Sequence, residues 1–187
     1  MTEKTTKALV VVDVQNDFCL GGALAVTYGD EVVKPLNHMI DFAERNNWEI
    51  YFSRDWHPQE TKHFEKWPTH CVQNTLGAEF HPELHLPKDY AKFHIISKGL
   101  GDADGYSAFD GDVLPKAKEL YVGGLATDYC VLWTVKKAIK LGYKVVLLLD
   151  ACRAVNFNPI DGRDAIREMI ALGAKVRTTT EVLCELG

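Results

Sequence analysis

Short apolar runs alternate with longer amphipathic stretches along the chain, and this rhythm constrains the fold more than any other feature. The apolar runs predict strands buried on both faces at residues 8–12, 48–53, 93–97, 120–123 and 144–149, with residues 176–178 as a sixth candidate. Between them, helical periodicity predicts helices over residues 31–46, 128–141 and 159–172, the last with Asn158 as N-cap, Pro159 at its first position and Gly173 as its stop. Strands that alternate with helices predict an α/β fold with a parallel sheet.

One long segment, residues 54 to about 92, interrupts this alternation. It is rich in His, Pro and Trp and has little helical or strand periodicity. A loop of that length inside a compact domain is usually functional. The length of 187 residues fits one domain, residues 1–187, and we expect this segment to be its ligand-binding region.

The charge balance argues against several classes of partner. There are 21 basic and 26 acidic residues, giving a net charge of -5, and no block of Lys and Arg stands out. We therefore expect neither a nucleic acid nor an anionic membrane as partner. The chain has no apolar stretch near the ~20 residues that a membrane span needs, and its N-terminus does not resemble a signal peptide, so a cytoplasmic location is expected. Five cysteines without a CxxC pair predict reduced thiols.

Four chemically useful side chains follow the predicted strands. Strand one ends at Asp13, strand two at Asp55 and strand three at Lys98, while strand four runs through small residues to Cys130. Ligands of open parallel sheets bind outside the carboxyl ends of the strands, so these side chains are expected to meet there. Cys130 also comes at the start of a predicted helix, where the helix dipole lowers a thiol pKa and backbone N–H groups can hold an oxyanion.

This set predicts acyl transfer. A carboxylate beside a thiol can take its proton, so Asp13 is the candidate base and then acid, Cys130 the nucleophile, and Lys98 the group that orients and tunes the pair. Each residue also has a structural interpretation. Cys130 can be a buried core thiol, Asp13 a cap or turn residue, and Lys98 a solvated surface lysine.

The long segment supplies a candidate metal site. Asp55, His57 and His70 form a plausible set of two nitrogens and one oxygen, and His63 is a rival third ligand. Glu60 and Glu65 can offer a further oxygen. We leave Cys71 out, because in an extended chain its side chain points away from that of His70. His38, His81, His85 and His94 are interpreted as surface or packing residues.

Three aromatic residues, Phe18, Trp67 and Tyr106, lie in predicted loops, where they can wall a flat ring. Core packing and loop anchoring are the alternatives for each.

Six segments carry these residues in order along the chain: Val12-Asp13-Val-Gln-Asn-Asp-Phe18, Arg54-Asp-Trp-His57-Pro, Trp67-Pro-Thr-His70-Cys71, Ser97-Lys98-Gly99, Asp104-Gly-Tyr-Ser-Ala-Phe109 and Gly123-Gly-Leu-Ala-Thr-Asp-Tyr-Cys130. Together they resemble the isochorismatase-like cysteine hydrolases, and among these most of all the nicotinamidase/pyrazinamidase family. The resemblance spans residue 8 to about residue 155 and implies a three-layer α/β/α, Rossmann-like fold.

The resemblance implies deamidation of nicotinamide to nicotinate and ammonia in NAD salvage, with pyrazinamide as a further substrate. It assigns Asp13, Lys98 and Cys130 as the triad of a thioester mechanism, and the N–H groups of Ala126 and Cys130 as the oxyanion hole after a cis Leu125–Ala126 peptide. It also implies one divalent ion, most simply zinc but with iron or manganese open, on Asp55, His57 and His70, where it holds the pyridine nitrogen. The same relatives assign the substrate walls to Phe18, Trp67 and Tyr106.

Several alternatives stay open at this point. The scaffold also serves isochorismatases and carbamoylsarcosine-type or ureidoacrylate-type hydrolases, which are not expected to carry the Asp55, His57 and His70 set. A noncatalytic protein that binds a ligand or senses oxidants through Cys130 is a second alternative, and a purely structural metal clip is a third. Assembly into a homo-oligomer is equally open, because the helix faces can pack within the chain or against a neighbour.

Overall fold

The computed structural model describes residues 6–87 and 93–187. Residues 88–92, at the end of the predicted 54–92 loop, and residues 1–5 lie outside the described part. The described residues contain a six-stranded sheet in the order β3-β2-β1-β4-β5-β6, with every pairing parallel. Its strands are β1 (Lys7–Val12), β2 (Glu49–Asp55), β3 (Phe93–Lys98), β4 (Glu119–Leu125), β5 (Lys144–Arg153) and β6 (Lys175–Arg177). The predicted parallel sheet and its six strands are confirmed.

Four α-helices flank the sheet: α1 (Val33–Arg45), α2 (Leu132–Lys140), α3 (Asp161–Ala171) and α4 (Thr179–Leu186). The first two start later than predicted, because a 3-10 turn (Gly29–Val32) precedes α1 and a π-helical turn (Thr127–Val131) precedes α2. Helix α4 was not predicted, although Thr178 and Glu181 form a capping box that marks its start.

The predicted start of α3 is wrong. Its N-cap is Ile160, with Pro159 outside the helix. Asn158 does not cap the helix, because its backbone and side-chain N–H groups donate to the Asp161 carboxylate instead. The predicted stop is confirmed, since Gly173 adopts a left-handed φ of 107° directly after the last turn.

Alternate residues of the strands bury into two separate cores, which explains their continuous apolar sequences. Helices α1 and α4 cover one face of the sheet, for example with Met39 against Leu9 and Phe52 in a shared cluster. Helices α2 and α3 cover the other face, where Val135 and Met169 join the cluster of Val10. The molecule is therefore a three-layer α/β/α structure.

The order of the strands locates the crevice. Strand β1 lies between β2 and β4, so the direction of winding reverses at the carboxyl ends of β1 and β4. Ligands of doubly wound sheets bind at such a switch point. Gly124 brings the two strands close together, because a Cβ at this residue would lie 2.0 Å from Val12 O. Among the described residues, no helix has the length and apolar character needed to cross a membrane.

Candidate active site and metal centre

The four strand-end side chains meet in one buried cluster at this crevice, as the sequence predicted. Lys98 is its centre: Nζ lies 2.7 Å from Asp13 Oδ2, in an ion pair outside hydrogen-bond alignment, and donates to Asp55 Oδ1. The same Nζ lies 3.4 Å from Cys130 Sγ. One ammonium therefore bridges two carboxylates and a thiol.

Asp13 is held by hydrogen bonds at the end of the sheet and does not cap a helix. Its backbone has a left-handed φ of 50°, and its N–H donates to Ser53 O at 3.1 Å. The Ser53 hydroxyl donates to Asp13 Oδ1 at 2.8 Å. A non-glycine residue in this conformation is uncommon and is often found where a side chain has to be aimed.

Burial and charge set the protonation states. Burial raises the pKa of Asp13 to about 6, with Lys98 opposing this rise and Asp55 adding to it. For Lys98, burial alone would lower the pKa, but the two carboxylates raise it well above its usual value. The ammonium form of Lys98 is thus the stable one, and the Asp13 carboxylate can exchange a proton near neutral pH.

The expected depression of the Cys130 pKa is wrong. Burial raises the pKa of this thiol well above its usual value, against the influence of Lys98 and reinforced by Asp13 and Asp55. Desolvation of a thiolate outweighs both the ammonium and the helix start. Cys130 therefore rests as a thiol and needs a base before it can attack.

A tight turn carries the thiol. The Leu125–Ala126 peptide is cis, as the family resemblance implied. The N–H groups of Tyr129 and Val131 both donate to Ala126 O at 3.1 Å, the latter closing the π-helical turn that contains Cys130. Cys130 thus lies within a hydrogen-bonded turn directly after β4.

Beside this cluster, the structure gathers three buried histidines. His57, His63 and His70 each offer a ring nitrogen, and the three nitrogens lie within 4.8 Å of one another. Asp55 Oδ2 faces this group, 3.7 Å from His57 Nε2 and 3.8 Å from His70 Nε2. The predicted ligands come together, and His63 joins them as a fourth member rather than replacing one.

The hydrogen bonds of the rings prepare them for a metal ion. Each Nδ1 contacts an oxygen: Gly99 O at 3.1 Å for His57, Asp104 Oδ1 at 2.9 Å for His63, and Pro68 O at 2.7 Å for His70. These acceptors favour the Nδ1–H tautomer, which leaves each Nε2 lone pair available as a ligand. Consistently, His57 Nε2 is buried without a hydrogen-bond partner among the described residues.

The carboxylate of Asp55 connects the two groups. Burial raises its pKa, but Lys98 and the rings of His57 and His70 hold the net pKa well below the usual value, so the group is charged. Three imidazoles and a carboxylate suit zinc, iron or manganese. Glu60 and Glu65 are exposed and lie outside the ligand clusters of the described residues.

The extended chain on which the exclusion of Cys71 rests is not found. Cys71 has a left-handed φ of 46°, and its side chain packs in the apolar core. Burial also raises the pKa of its thiol.

A small cavity of about 40 Å³ opens beside Cys130. Phe18, Trp67 and Tyr106 all line it, as predicted, and the indole Nε1 of Trp67 donates to the Tyr106 hydroxyl at 3.0 Å. Sequence reasoning missed several other lining residues: Leu24, Val26, Tyr129 and Val155. Of these, Tyr129 belongs to a recognised segment, directly before Cys130, whereas the other three carry no periodic or motif signal. A larger cavity of about 540 Å³, lined by Lys7, Trp48 and Glu49 among others, includes none of the predicted site residues.

Gln15 is a further residue that sequence reasoning missed. Its side chain is fully buried and spans the Asp55 backbone, donating to Asp55 O and accepting from Asp55 N, both at 2.8 Å. It also donates to Ala78 O at 2.8 Å. Its place between Asp13 and Asp17, in a segment that supplies both Asp13 and Phe18, was a signal that could have found it.

A separate group of Cys19, Asp30 and His81 lies apart from this site. His81 Nδ1 accepts from Glu83 N at 3.2 Å, so its proton sits on Nε2, which faces Asp30 Oδ1 at 3.3 Å. Both ring nitrogens thus have partners, Nδ1 as an acceptor and Nε2 beside a carboxylate, and no free ring nitrogen is left for a ligand.

Comparison with known proteins adds independent information. Residues 7–181 match the model of the isochorismatase domain. The nicotinamidase of Escherichia coli (strain K12) is 41% identical, over 94% of this chain and 96% of the relative.

Two solved structures are also similar to this chain. The pyrazinamidase of Pyrococcus horikoshii in complex with zinc superimposes with a TM-score of 0.83 at 38% identity, covering 92% of this chain and 98% of that one. PnC1 from L. infantum in complex with nicotinate gives a TM-score of 0.81 at 30% identity, covering 94% of both chains.

Proposed function

The chain belongs to the isochorismatase domain family, and we propose that it is a metal-dependent nicotinamidase that converts nicotinamide to nicotinate and ammonia through a thioester on Cys130. The observation that carries this proposal is the sharing of Asp55. Its Oδ1 pairs with Lys98 of the catalytic cluster, and its Oδ2 faces His57 and His70. A carboxylate shared between the catalytic cluster and the metal ligands is expected in an enzyme whose metal ion positions the substrate next to the nucleophile.

The first half-reaction begins with proton transfer. Asp13 takes the proton of the Cys130 thiol as Sγ attacks the carbonyl carbon of the amide, and a tetrahedral oxyanion forms. We assign the N–H groups of Ala126 and Cys130 as its donors, because both belong to the turn that carries the thiol. The C–N bond then breaks while Asp13 returns its proton to the departing amine, releasing ammonia and leaving a thioester.

The second half-reaction uses the same base. Asp13 takes a proton from a water molecule while the oxygen of that water attacks the thioester carbon. The C–S bond then breaks and nicotinate is released. The proton then returns to Sγ. Lys98 stays charged throughout and offsets the negative charge that moves between Asp13 and Cys130, which lie with it in a water-poor site.

Asp55, His57, His63 and His70 would hold the metal ion. When bound, the ion supplies a Lewis acid that can hold the pyridine nitrogen of the substrate. The Nδ1 contacts of the three rings support this assignment, because they fix the orientation of each imidazole. The neutral form of His63 is favoured further, since burial lowers its pKa although Asp104 opposes this.

Phe18, Trp67 and Tyr106 would enclose the ring of the substrate. A small, mainly apolar pocket suits a flat heteroaromatic amide, and pyrazinamide differs from nicotinamide by one ring nitrogen only, so we expect it to be hydrolysed as well. The alternatives from the sequence find less support. An oxidant sensor needs an accessible thiolate, whereas Cys130 is buried and protonated.

Ammonia release from nicotinamide by the purified, reduced protein tests the proposal. We expect release that stops on chelation of the metal and returns on addition of zinc, iron or manganese, with folding followed by circular dichroism. Benzamide, which lacks the ring nitrogen, should be a much poorer substrate. No release from folded, reduced and metallated protein would refute the proposal, whereas release unaffected by chelation would indicate a structural metal clip.

A further inference from the structure

The loop after β5 contacts the substrate pocket but has no role in the mechanism described above. Val155 lines the pocket, and the Phe157 ring lies 5.6 Å from the Trp67 ring and 6.4 Å from the Tyr129 ring, between ring centres. We call residues 155–157 the outer segment. The rings of Trp67 and Tyr129 pack edge to face at 4.9 Å and form one wall of the pocket. The side chains of the outer segment extend this wall.

The outer segment is fixed by a residue of the nucleophile turn. Asp128, two residues before Cys130, accepts a hydrogen bond from Val155 N on Oδ1 and another from Asn156 N on Oδ2, both at 2.9 Å. Asn156 adopts a left-handed φ of 55°, as expected where two consecutive N–H groups point at one anion. Bonds between backbone N–H groups and a carboxylate are about twice as strong as neutral ones.

The side chain of Asn156 also ties the segment to α3. Asn156 Oδ1 accepts from Gly162 N at 2.8 Å, in the first turn of that helix. The outer segment is thus held between the turn that carries the nucleophile and a helix packed on the sheet. These hydrogen bonds fix the position of the segment relative to Cys130, which a free loop would not do.

We propose that the outer segment, positioned by Asp128 and completed by Phe157, determines the substrate specificity of the enzyme by limiting it to heteroaromatic amides without bulky ring substituents. This inference rests on the proposed nicotinamidase function. Asp128 and Phe157 act as positioning residues: Asp128 fixes the backbone of the segment, and Phe157 supports the outer side of Trp67. A single methyl group that a pocket rejects changes kcat/KM by about tenfold or more.

Phe157→Ala is the most informative variant. The Phe157 side chain is 66% exposed, so its removal should not compromise folding. We expect the ratio of kcat/KM for a ring-methylated nicotinamide to that for nicotinamide to rise about tenfold. Phe157→Leu, which keeps an apolar contact with Trp67, should restore most of the discrimination.

Asp128→Asn tests the two hydrogen bonds that connect Asp128 to the outer segment. An amide can accept on one oxygen only, so one of the two N–H groups loses its partner. The same ratio should rise, and the increase in KM for nicotinamide should exceed any fall in kcat. Asp164→Asn is the matched control, because this exposed carboxylate on α3 pairs only with Arg163 and Arg167 among the contacts described, and it should leave the ratio unchanged.

The outcomes separate the two proposals. If the unaltered enzyme hydrolyses nicotinamide but the ratio stays within about twofold in both Phe157→Ala and Asp128→Asn, the specificity role is refuted and the proposed function stands. If Asp164→Asn shifts the ratio as much as Asp128→Asn, the role is refuted as well. If the unaltered enzyme releases no ammonia from nicotinamide, the proposed function fails and the inference fails with it.

Discussion

Replacing Lys98 by methionine removes the only cation described within the catalytic cluster. The side chain is buried, and its Nζ is the shared partner of Asp13 and Asp55, whose carboxylates are also buried. Removing one member of a buried ionic network typically costs about 3–5 kcal/mol, because the remaining charges stay out of water without compensation. We expect a loss of that size in the free energy of unfolding of metal-free Lys98→Met, measured by urea unfolding.

Added zinc should reduce this loss, because a bound cation restores positive charge beside Asp55. Turnover should not recover with stability. Without Lys98, which lowers the pKa of Asp13, this carboxyl keeps its proton at neutral pH and cannot accept that of the thiol. Loss of a positioned base typically lowers the rate by about 10²- to 10⁴-fold.

Lys136→Met is the matched control. Lys136 pairs with Glu168 near the surface, and such pairs contribute about 1 kcal/mol or less. The reasoning about Lys98 is refuted if Lys98→Met and Lys136→Met lose similar amounts of stability, or if Lys98→Met keeps the turnover of the unaltered enzyme.

Three further predictions concern the base and the metal site. The kcat/KM of the metal-saturated enzyme should fall as the pH drops through about 6, because Asp13 with its raised pKa is then protonated; a pH–rate profile that stays flat below pH 6 contradicts this role. His63→Asn should weaken zinc binding by about tenfold or more in a chelator competition titration, whereas His85→Asn, with an exposed imidazole, should not; equal affinities would exclude His63 as a ligand. Gln15→Leu removes the Gln15 hydrogen bonds to three buried backbone groups and should lower the free energy of unfolding by about 2 kcal/mol or more; a loss below about 1 kcal/mol in urea unfolding would argue against a stabilising role of these bonds.

Much of the fold could be predicted because the strands are buried on both faces. Residues such as Val10 and Val11 point to opposite cores, so the strand has to be apolar throughout and stands out in the sequence. The ends of the strands then brought Asp13, Lys98 and Cys130 together by topology alone. The start of α3 was missed because Asn158 bonds Asp161 in a local turn, which competes with capping.

The protonation state of Cys130 could not be predicted from its neighbours in sequence. It depends on how completely the crevice excludes water, which is a property of the folded chain. Membership of His63 in the metal site has a similar cause. Its orienting partner, Asp104, lies 41 residues away along the chain, and only the folded structure shows the two side chains in contact.

The outer segment is a third feature that could not be predicted from the sequence. Val155 lines the pocket and Phe157 packs against Trp67, but both follow β5 without periodicity or a recognisable motif, so nothing in the sequence marked them. The backbone of this segment bonds the carboxylate of Asp128, 27 residues from Val155. A side chain that bonds the backbone of a distant loop leaves no pattern along the chain.

The most direct test of the account is to find the acyl group during turnover. Metallated enzyme is mixed with nicotinamide, quenched in acid, digested and analysed by mass spectrometry. We predict a nicotinoyl adduct on the peptide that contains Cys130, lost on treatment with hydroxylamine and absent from Cys130→Ala, which should release no ammonia. Ammonia release by Cys130→Ala at the rate of the unaltered enzyme would contradict the central claim that Cys130 is the nucleophile.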